Sequence, residues 1–154
     1  MNRIKKLLLV TGIALIAAQF FQPAKNLNDQ GLATDISKTI PVPGNVQVIL
    51  KNACYDCHSN NTVYPWYANI QPMGWLMANH IKEGKAELNF NEFGNYSTRR
   101  QVSKLDGIFN SIKDGIMPLS SYKLMHKTAN LNKNEKTLIM DWAQFSKDSL
   151  SIKN

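Results

Sequence analysis

The chain has 154 residues, which is enough for one compact domain and too few for two ordinary ones. Its hydrophobic fraction of 44% and aromatic fraction of 9% are typical of a globular protein and exclude a disordered or fibrous chain. The formal net charge is +7, but the basic residues are not clustered with stacking aromatic residues, so no nucleic-acid partner is expected.

The N-terminus has the pattern of an export signal. Three basic residues, Arg3, Lys5 and Lys6, precede an apolar run at residues 7–21. At about 1.5 Å per residue, this run spans about 22 Å as a helix, less than the roughly 30 Å hydrocarbon core of a bilayer. Cleavage after Ala18 would place Ile16 where a small residue is preferred, which favours an uncleaved anchor. We expect residues 1–22 to be a signal peptide or an uncleaved membrane anchor, and the domain to be periplasmic and held at the cytoplasmic membrane.

The next elements lead into and away from the only two cysteines. Residues 23–43 are polar and interrupted by proline and glycine, which predicts a linker. From Asn45, apolar residues run into the sequence CYDCH, which suits a short helix that presents Cys54, Cys57 and His58 near its end. Prolines at 65 and 72 predict an ordered loop, and helical spacing predicts a helix from Gly74 that Gly84 terminates.

The C-terminal half has two strong helical patterns. Ser97 or Thr98 begins a helix that Gly115 ends, with an apolar face formed by Val102, Leu105, Ile108, Phe109 and Ile112. Asn132 and Glu135 form a capping pattern before the last helix, whose predicted apolar face is Leu138, Ile139, Trp142 and Phe145. Because no alternating strand pattern occurs, we predict an all-α fold, a small helical bundle over residues 44–148 with a polar tail at 149–154.

The spacing of Cys54, Cys57 and His58 is that of covalent haem attachment. In a C-x-x-C-H sequence each thiol adds to one haem vinyl group, and the histidine that follows becomes the proximal iron ligand. The predicted export and helical fold agree with this interpretation. If haem is present, the aromatic residues that follow are candidates for walls of its pocket: Tyr64, Trp66, Tyr67 and Trp75.

Three other interpretations of the cysteines remain open, of which free structural cysteines are the least expected in an exported chain. The pair could be a thiol-disulfide redox site, although such sites are normally carried by a strand followed by a helix. A zinc site could combine the two cysteines with His80 and His126, although these spacings match no compact zinc motif.

Three stretches, in this order, resemble the bacterial haem-binding domain family over about residues 40–146: CYDCHSNNTVYPWYANIQP, WLMANHIKEGKAELNF and GIMPLSSYKLMHKTANLNKNEKTLIMDWA. Members of that family are membrane-tethered c-type cytochromes on the class I cytochrome c plan. The resemblance implies a cytochrome c-like bundle around one covalently bound haem c, held by Cys54 and Cys57, with iron on His58.

The sixth iron ligand has two candidates. Met117 is followed by Pro118 and precedes the last helix, which resembles the distal methionine loop of class I cytochromes c. A thioether is a soft ligand that raises the reduction potential of haem iron. His80 is the competing ligand, and bis-histidine ligation would give a lower potential.

These observations favour an electron carrier over a catalyst. Its expected partners are redox proteins, both donors and acceptors, near the membrane that holds the N-terminal segment. A haem-based enzyme or sensor with an open distal site, peroxidase-like or gas-binding, is the alternative, followed by a C-x-x-C thiol-disulfide protein.

Overall fold

The computed structural model describes residues 2–28 and 32–152. Within these residues the chain is helical and has no β-strand, apart from an isolated bridge between Leu27 and Asn61. Short 3-10 helices lie at Trp66–Asn69, Phe90–Asn95 and Lys127–Ala129. The α-helices are α1 (Arg3–Ala18), α2 (Ile36–Thr39), α3 (Gly44–Ala53), α4 (Tyr55–His58), α5 (Met73–Glu87), α6 (Thr98–Lys113), α7 (Ser120–Met125) and α8 (Lys133–Ile152). The predicted all-α helical bundle is confirmed.

Helices α6 and α8 pack against each other and form much of the core. Leu105 of α6 and Ile139 and Ala143 of α8 have no exposed surface. Trp142 is also buried, and its indole N–H donates to the Pro41 carbonyl at 3.0 Å, so the polar atom of the ring keeps a partner. The pairing follows from the apolar stripes that the sequence places at helical spacing on both helices.

The predicted apolar face of α8 is partly wrong. Leu138 is 38% exposed and Phe145 is 71% exposed. The buried positions are Ile139, Trp142, Ala143 and Ser146. They follow the three-and-four spacing of one helix face, and Ser146 lies on it because position, not polarity, decides burial here.

The predicted end of α6 and the predicted start of α8 are confirmed, whereas Ser97 lies at the N-cap of α6 without a side-chain capping hydrogen bond. Gly115 has φ 71°, a left-handed conformation that glycine adopts without steric cost, and it ends α6. At the start of α8 the Glu135 N–H donates to the Asn132 side-chain oxygen at 3.0 Å, and the Asn132 N–H donates to the Glu135 carboxylate at 2.8 Å. This is a reciprocal capping box.

Helix α5 does not end at Gly84, as the sequence analysis predicts, but continues to Glu87. Gly84 is needed inside the helix because α4 passes close to it. A Cβ atom at Gly84 would lie 2.7 Å from the carbonyl oxygen of Cys57. The glycine therefore marks a close helix crossing and not a helix end.

The segment 23–43, predicted as a linker, packs against the domain. Ile36 in α2 and Ile40 are buried at 1% and 7% exposure, because these two apolar residues lie one helical turn apart among polar neighbours. The Asn26 side chain donates to the Ser59 carbonyl at 2.9 Å. Residues 29–31 of the predicted linker lie outside the described residues.

Both ends of the described chain are helical. No residue of α1 is buried. No helix within residues 2–28 and 32–152 is both long enough and apolar enough to span a membrane. At the other end, α8 continues through Ile152, and Leu150 of the predicted polar tail packs against the core. Residue 1 of the predicted leader and residues 153–154 of the tail lie outside the described residues.

Candidate functional site

The sequence CYDCH forms a tight turn between two helices. Helix α3 ends at Ala53, Cys54 departs from helical geometry with φ −127° and ψ −38°, and α4 begins at Tyr55. The backbone N–H groups of Cys57 and His58 both donate to the Cys54 carbonyl, at 3.2 and 3.0 Å. The prediction of one helix through this stretch is replaced by a helix, a break at Cys54 and one further turn.

Two cavities adjoin this turn. Their volumes are about 300 and 360 Å³, and both are bordered by Cys54, His58, Glu87 and Met117. The smaller one extends towards α5 and α7, and the larger one towards α6 and α8. Their linings are predominantly apolar, which suits a large planar macrocycle with a few polar contacts. The structure thus brings together the four residues predicted as the site: Cys54, Cys57, His58 and Met117.

His58 is held in the orientation and protonation state of a metal ligand. Its Nδ1 lies 3.0 Å from the carbonyl oxygen of Leu88, which can only accept a hydrogen bond. The proton is therefore on Nδ1, and the lone pair of Nε2 is left for a metal ion. Burial lowers the pKa of His58 and so favours the neutral ring, although the hydrogen bonds to the Leu88 and Gly84 backbone and the charge of Glu87 act in the opposite direction. The sequence could not predict this role of Leu88, because a backbone oxygen makes the contact and every residue has one.

The two cysteines are free thiols. Burial raises the pKa of the Cys54 thiol to about 12 and that of the Cys57 thiol to about 11. A reactive C-x-x-C redox pair needs the opposite, a thiol whose pKa is lowered so that the thiolate is populated. The environment therefore argues against thiol-disulfide chemistry in this folded state.

The zinc alternative is not supported by the arrangement of its ligands. Among the described residues, no group of three or more His, Cys, Asp and Glu side chains could hold a metal ion. His126 stacks on Tyr122, with ring centroids 4.1 Å apart, while His80 borders the smaller cavity with the cysteines.

The candidates for a sixth iron ligand occupy different positions. Met117 borders both cavities, and its backbone N–H donates to the Ser111 carbonyl at the end of α6, at 3.2 Å. His80 borders the smaller cavity from α5. Of the two candidates, only Met117 therefore borders both cavities, as His58 does. Three other methionines border the smaller cavity: Met73, Met77 and Met125.

A hydrogen bond that the sequence analysis missed ties α7 to the cysteine turn. The Tyr122 hydroxyl donates to the Asp56 carboxylate at 2.6 Å, and the same carboxylate accepts from the Val63 N–H at 3.0 Å. Asp56 lies between the two cysteines, and Tyr122 borders the smaller cavity. Burial and the Asp56 charge raise the pKa of Tyr122, so it stays a neutral donor. No local pattern marks the pair, because its members lie 66 residues apart.

The predicted aromatic walls are mostly wrong. Of the four aromatic residues proposed, only Tyr67 borders either cavity. Trp66 is 73% exposed, and the Tyr64 hydroxyl accepts a hydrogen bond from the Asn26 N–H at 2.7 Å. The Trp75 indole N–H donates to the Phe21 carbonyl at 2.7 Å. These contacts attach residues 19–28 to the domain, so the aromatic loop serves mainly as their support.

Comparison with known proteins identifies the family. No curated protein and no solved structure gives a match to the chain. The profile of the family described as haem-binding domain matches residues 13–145. The cavities, the histidine and the thiols of the chain fit a haem. Because the match covers most of the chain, the protein belongs to the haem-binding domain family.

Proposed function

We propose that the protein is a c-type cytochrome with one haem and that it transfers electrons at the outer face of the cytoplasmic membrane. Membership of the haem-binding domain family supports haem as the cofactor. The covalent attachment, the ligands, the electron-transfer role and the location are our inference from the site and the sequence.

The observation that carries the proposal is the contact between His58 Nδ1 and the Leu88 carbonyl. It fixes the tautomer and leaves Nε2 as the ligand atom, as second-shell hydrogen bonds do for metal-bound histidines. The same residue borders both cavities together with Cys54 and Met117. A neutral histidine, thiols and a thioether around one apolar space suit haem iron better than a hard cation.

Attachment would use the two thiols without any other reactant. Each thiol would add its sulfur to one carbon of a haem vinyl group and its hydrogen to the other, so that Cys54 and Cys57 would each hold the haem by one thioether bond. The addition has no leaving group and changes no net oxidation state. The buried thiols in the folded chain are poorly ionised. We therefore expect attachment before the domain is fully folded.

Met117 is our proposed sixth ligand. When bound, haem supplies a one-electron couple between ferric and ferrous iron. Met117 and His58 would both bind the iron and so exclude substrate from it, which favours an electron carrier over an enzyme. The bond from Met117 N–H to Ser111 O holds the loop in place independently of any iron contact.

The proposed location rests on the N-terminal segment. Basic residues Arg3, Lys5 and Lys6 occupy the start of α1, and the apolar side chains that follow are exposed along its length, for example Leu8 at 67% and Ile16 at 66%. A tether at the membrane would raise the local concentration of the domain near membrane-associated redox proteins, its proposed donors and acceptors.

The experiment is an absorption spectrum of the exported protein, oxidised and reduced, followed by denaturing electrophoresis. We expect a c-type reduced spectrum, haem that stays with the denatured chain, and a sulfur-to-iron charge-transfer band in the oxidised state. Met117→Ala should abolish this band and keep the haem, whereas His80→Ala and the control Met77→Ala should keep both. Absence of the band in the unsubstituted protein, with a low-spin ferric spectrum that His80→Ala alone converts to high spin, would transfer the ligand role to His80, and a colourless protein would refute the proposal.

A further inference from the structure

The residues around the exit of α1 form an exposed apolar surface that has no role in the proposed haem site. This exit surface consists of Phe20 and Phe21, which follow α1, and Ile70 and Trp75 on the domain. Their exposures are 83%, 71%, 47% and 43%. Removing such side chains from water lowers the free energy. A surface of this kind is therefore expected to bind a partner or a membrane.

Hydrogen bonds hold the exit of α1 against the domain. The Gln71 N–H donates to the Gln19 side chain at 2.9 Å, and the Gln71 side chain donates to that of Gln22 at 2.8 Å. The Trp75 indole donates to the Phe21 carbonyl at 2.7 Å. Together these bonds fix where the helix leaves the domain. A free tether would leave the domain able to rotate, whereas this connection sets one face of it beside α1.

The two chain segments that meet at this exit carry no charged residue. Residues 7–24 contain no Asp, Glu, Lys or Arg, and neither do residues 59–79. The rest of the chain is rich in charge, since 18 basic and 11 acidic residues occur in the whole sequence. A surface without charges avoids the desolvation cost that a charged surface would meet at a lipid boundary.

We propose that the exit surface docks on the bilayer that holds α1, with Phe20, Phe21, Ile70 and Trp75 at the level of the lipid headgroups. The inference rests on the proposed membrane location. Lipid is the occupant because the surface is continuous with α1, which from residue 7 to its end carries no charged side chain and which has no buried residue. Aromatic residues at the end of an apolar helix are typical of membrane interfaces.

Docking would also set the position of the haem site. Met73 and Leu76 border the smaller cavity and lie within one helical turn of Trp75 in α5. The cavity therefore lies within a helical turn of the docked surface, and its opening would be held close to the membrane. This arrangement suits exchange of electrons with a membrane-embedded partner.

The test uses the full, haem-loaded chain in nanodiscs of phosphatidylethanolamine and phosphatidylglycerol. A phospholipid with a photoreactive diazirine in its headgroup region labels the protein, and mass spectrometry locates the label. We expect peptides with Phe20, Phe21, Ile70 and Trp75 to be labelled about tenfold more than peptides with Leu124 and Phe145. The last two are matched controls, being 80% and 71% exposed and distant in sequence from the exit.

Variants sharpen the result. Replacement of both Phe20 and Ile70 by serine should reduce labelling at Trp75 about fivefold, and Leu124→Ser should not change it. If α1 is labelled but Ile70 and Trp75 are labelled no more than Phe145, the tether stands and docking is refuted. If α1 is not labelled either, both the membrane location and docking are refuted. The absorption spectrum of the same sample reports the haem proposal separately.

Discussion

Replacement of Gly84 by alanine tests how α5 positions the cysteine turn. An added Cβ would lie 2.7 Å from the Cys57 carbonyl oxygen and 3.2 Å from the Cys57 Cβ. To reach an ordinary contact of 3.4 Å, the helices α4 and α5 would have to separate by 0.7 Å, the difference between 3.4 and 2.7 Å. Cys57 and His58 would move with α4.

The expected cost follows from two opposing effects. Alanine in a helix interior is more favourable than glycine by about 1 kcal/mol. Overpacking a tight contact costs about 1–3 kcal/mol. The matched control is Gly107→Ala inside α6, where an added Cβ meets no atom within 4 Å. The control therefore gains only the stability that alanine adds to a helix interior. Gly84→Ala should therefore be less stable than Gly107→Ala by about 1–3 kcal/mol.

Urea unfolding followed by circular dichroism measures this difference. With a typical denaturant dependence of about 2 kcal/mol per M, the midpoint of Gly84→Ala should be about 1 M below that of Gly107→Ala. Gly107 borders the larger cavity, so the haem content of both variants is measured as well. An equal or higher midpoint for Gly84→Ala would show that the crossing is not tight and would refute the reasoning.

Two further predictions concern the bonds around the site and on the surface. Tyr122→Phe removes the donor to Asp56 and should lower the free energy of unfolding by about 1.5–3 kcal/mol, as expected for a bond to a charged group. Its control is Tyr55→Phe, whose hydroxyl lies 3.4 Å from Asp35 and should contribute less than about 1 kcal/mol; equal losses would contradict this ranking. The Lys147 ammonium donates to Asp106 at 2.8 Å and lowers the pKa of that carboxyl below its ordinary value of 3.8. The pair should therefore stabilise the fold above pH 3.8, by less than about 1 kcal/mol because it is solvent-exposed, and lose this effect as the pH falls through the lowered pKa. Lys147→Met should be less stable than the parent at pH 7 and equal to it at low pH in urea titrations; a difference that persists in acid would point to lost packing instead.

Much of the fold could be predicted because its signals are local. The Asn132 and Glu135 pair and Gly115 act within one helical turn, so neighbouring residues suffice to place helix ends. The face of α8 was harder, because a partner helix decides which side of an apolar stripe is buried. Phe145 fits the stripe by type, yet it lies outside the contact with α6 and is 71% exposed.

The sequence by itself determined the candidate haem chemistry, because the order of Cys54, Cys57 and His58 fixes which groups can react within one turn. Only the tertiary structure decided how that turn is held. The Leu88 carbonyl, the missing side chain of Gly84 and the Tyr122 hydroxyl that binds Asp56 all come from distant residues. Contacts of this kind depend on how helices cross, and a backbone oxygen or an absent Cβ leaves no mark in residue spacing.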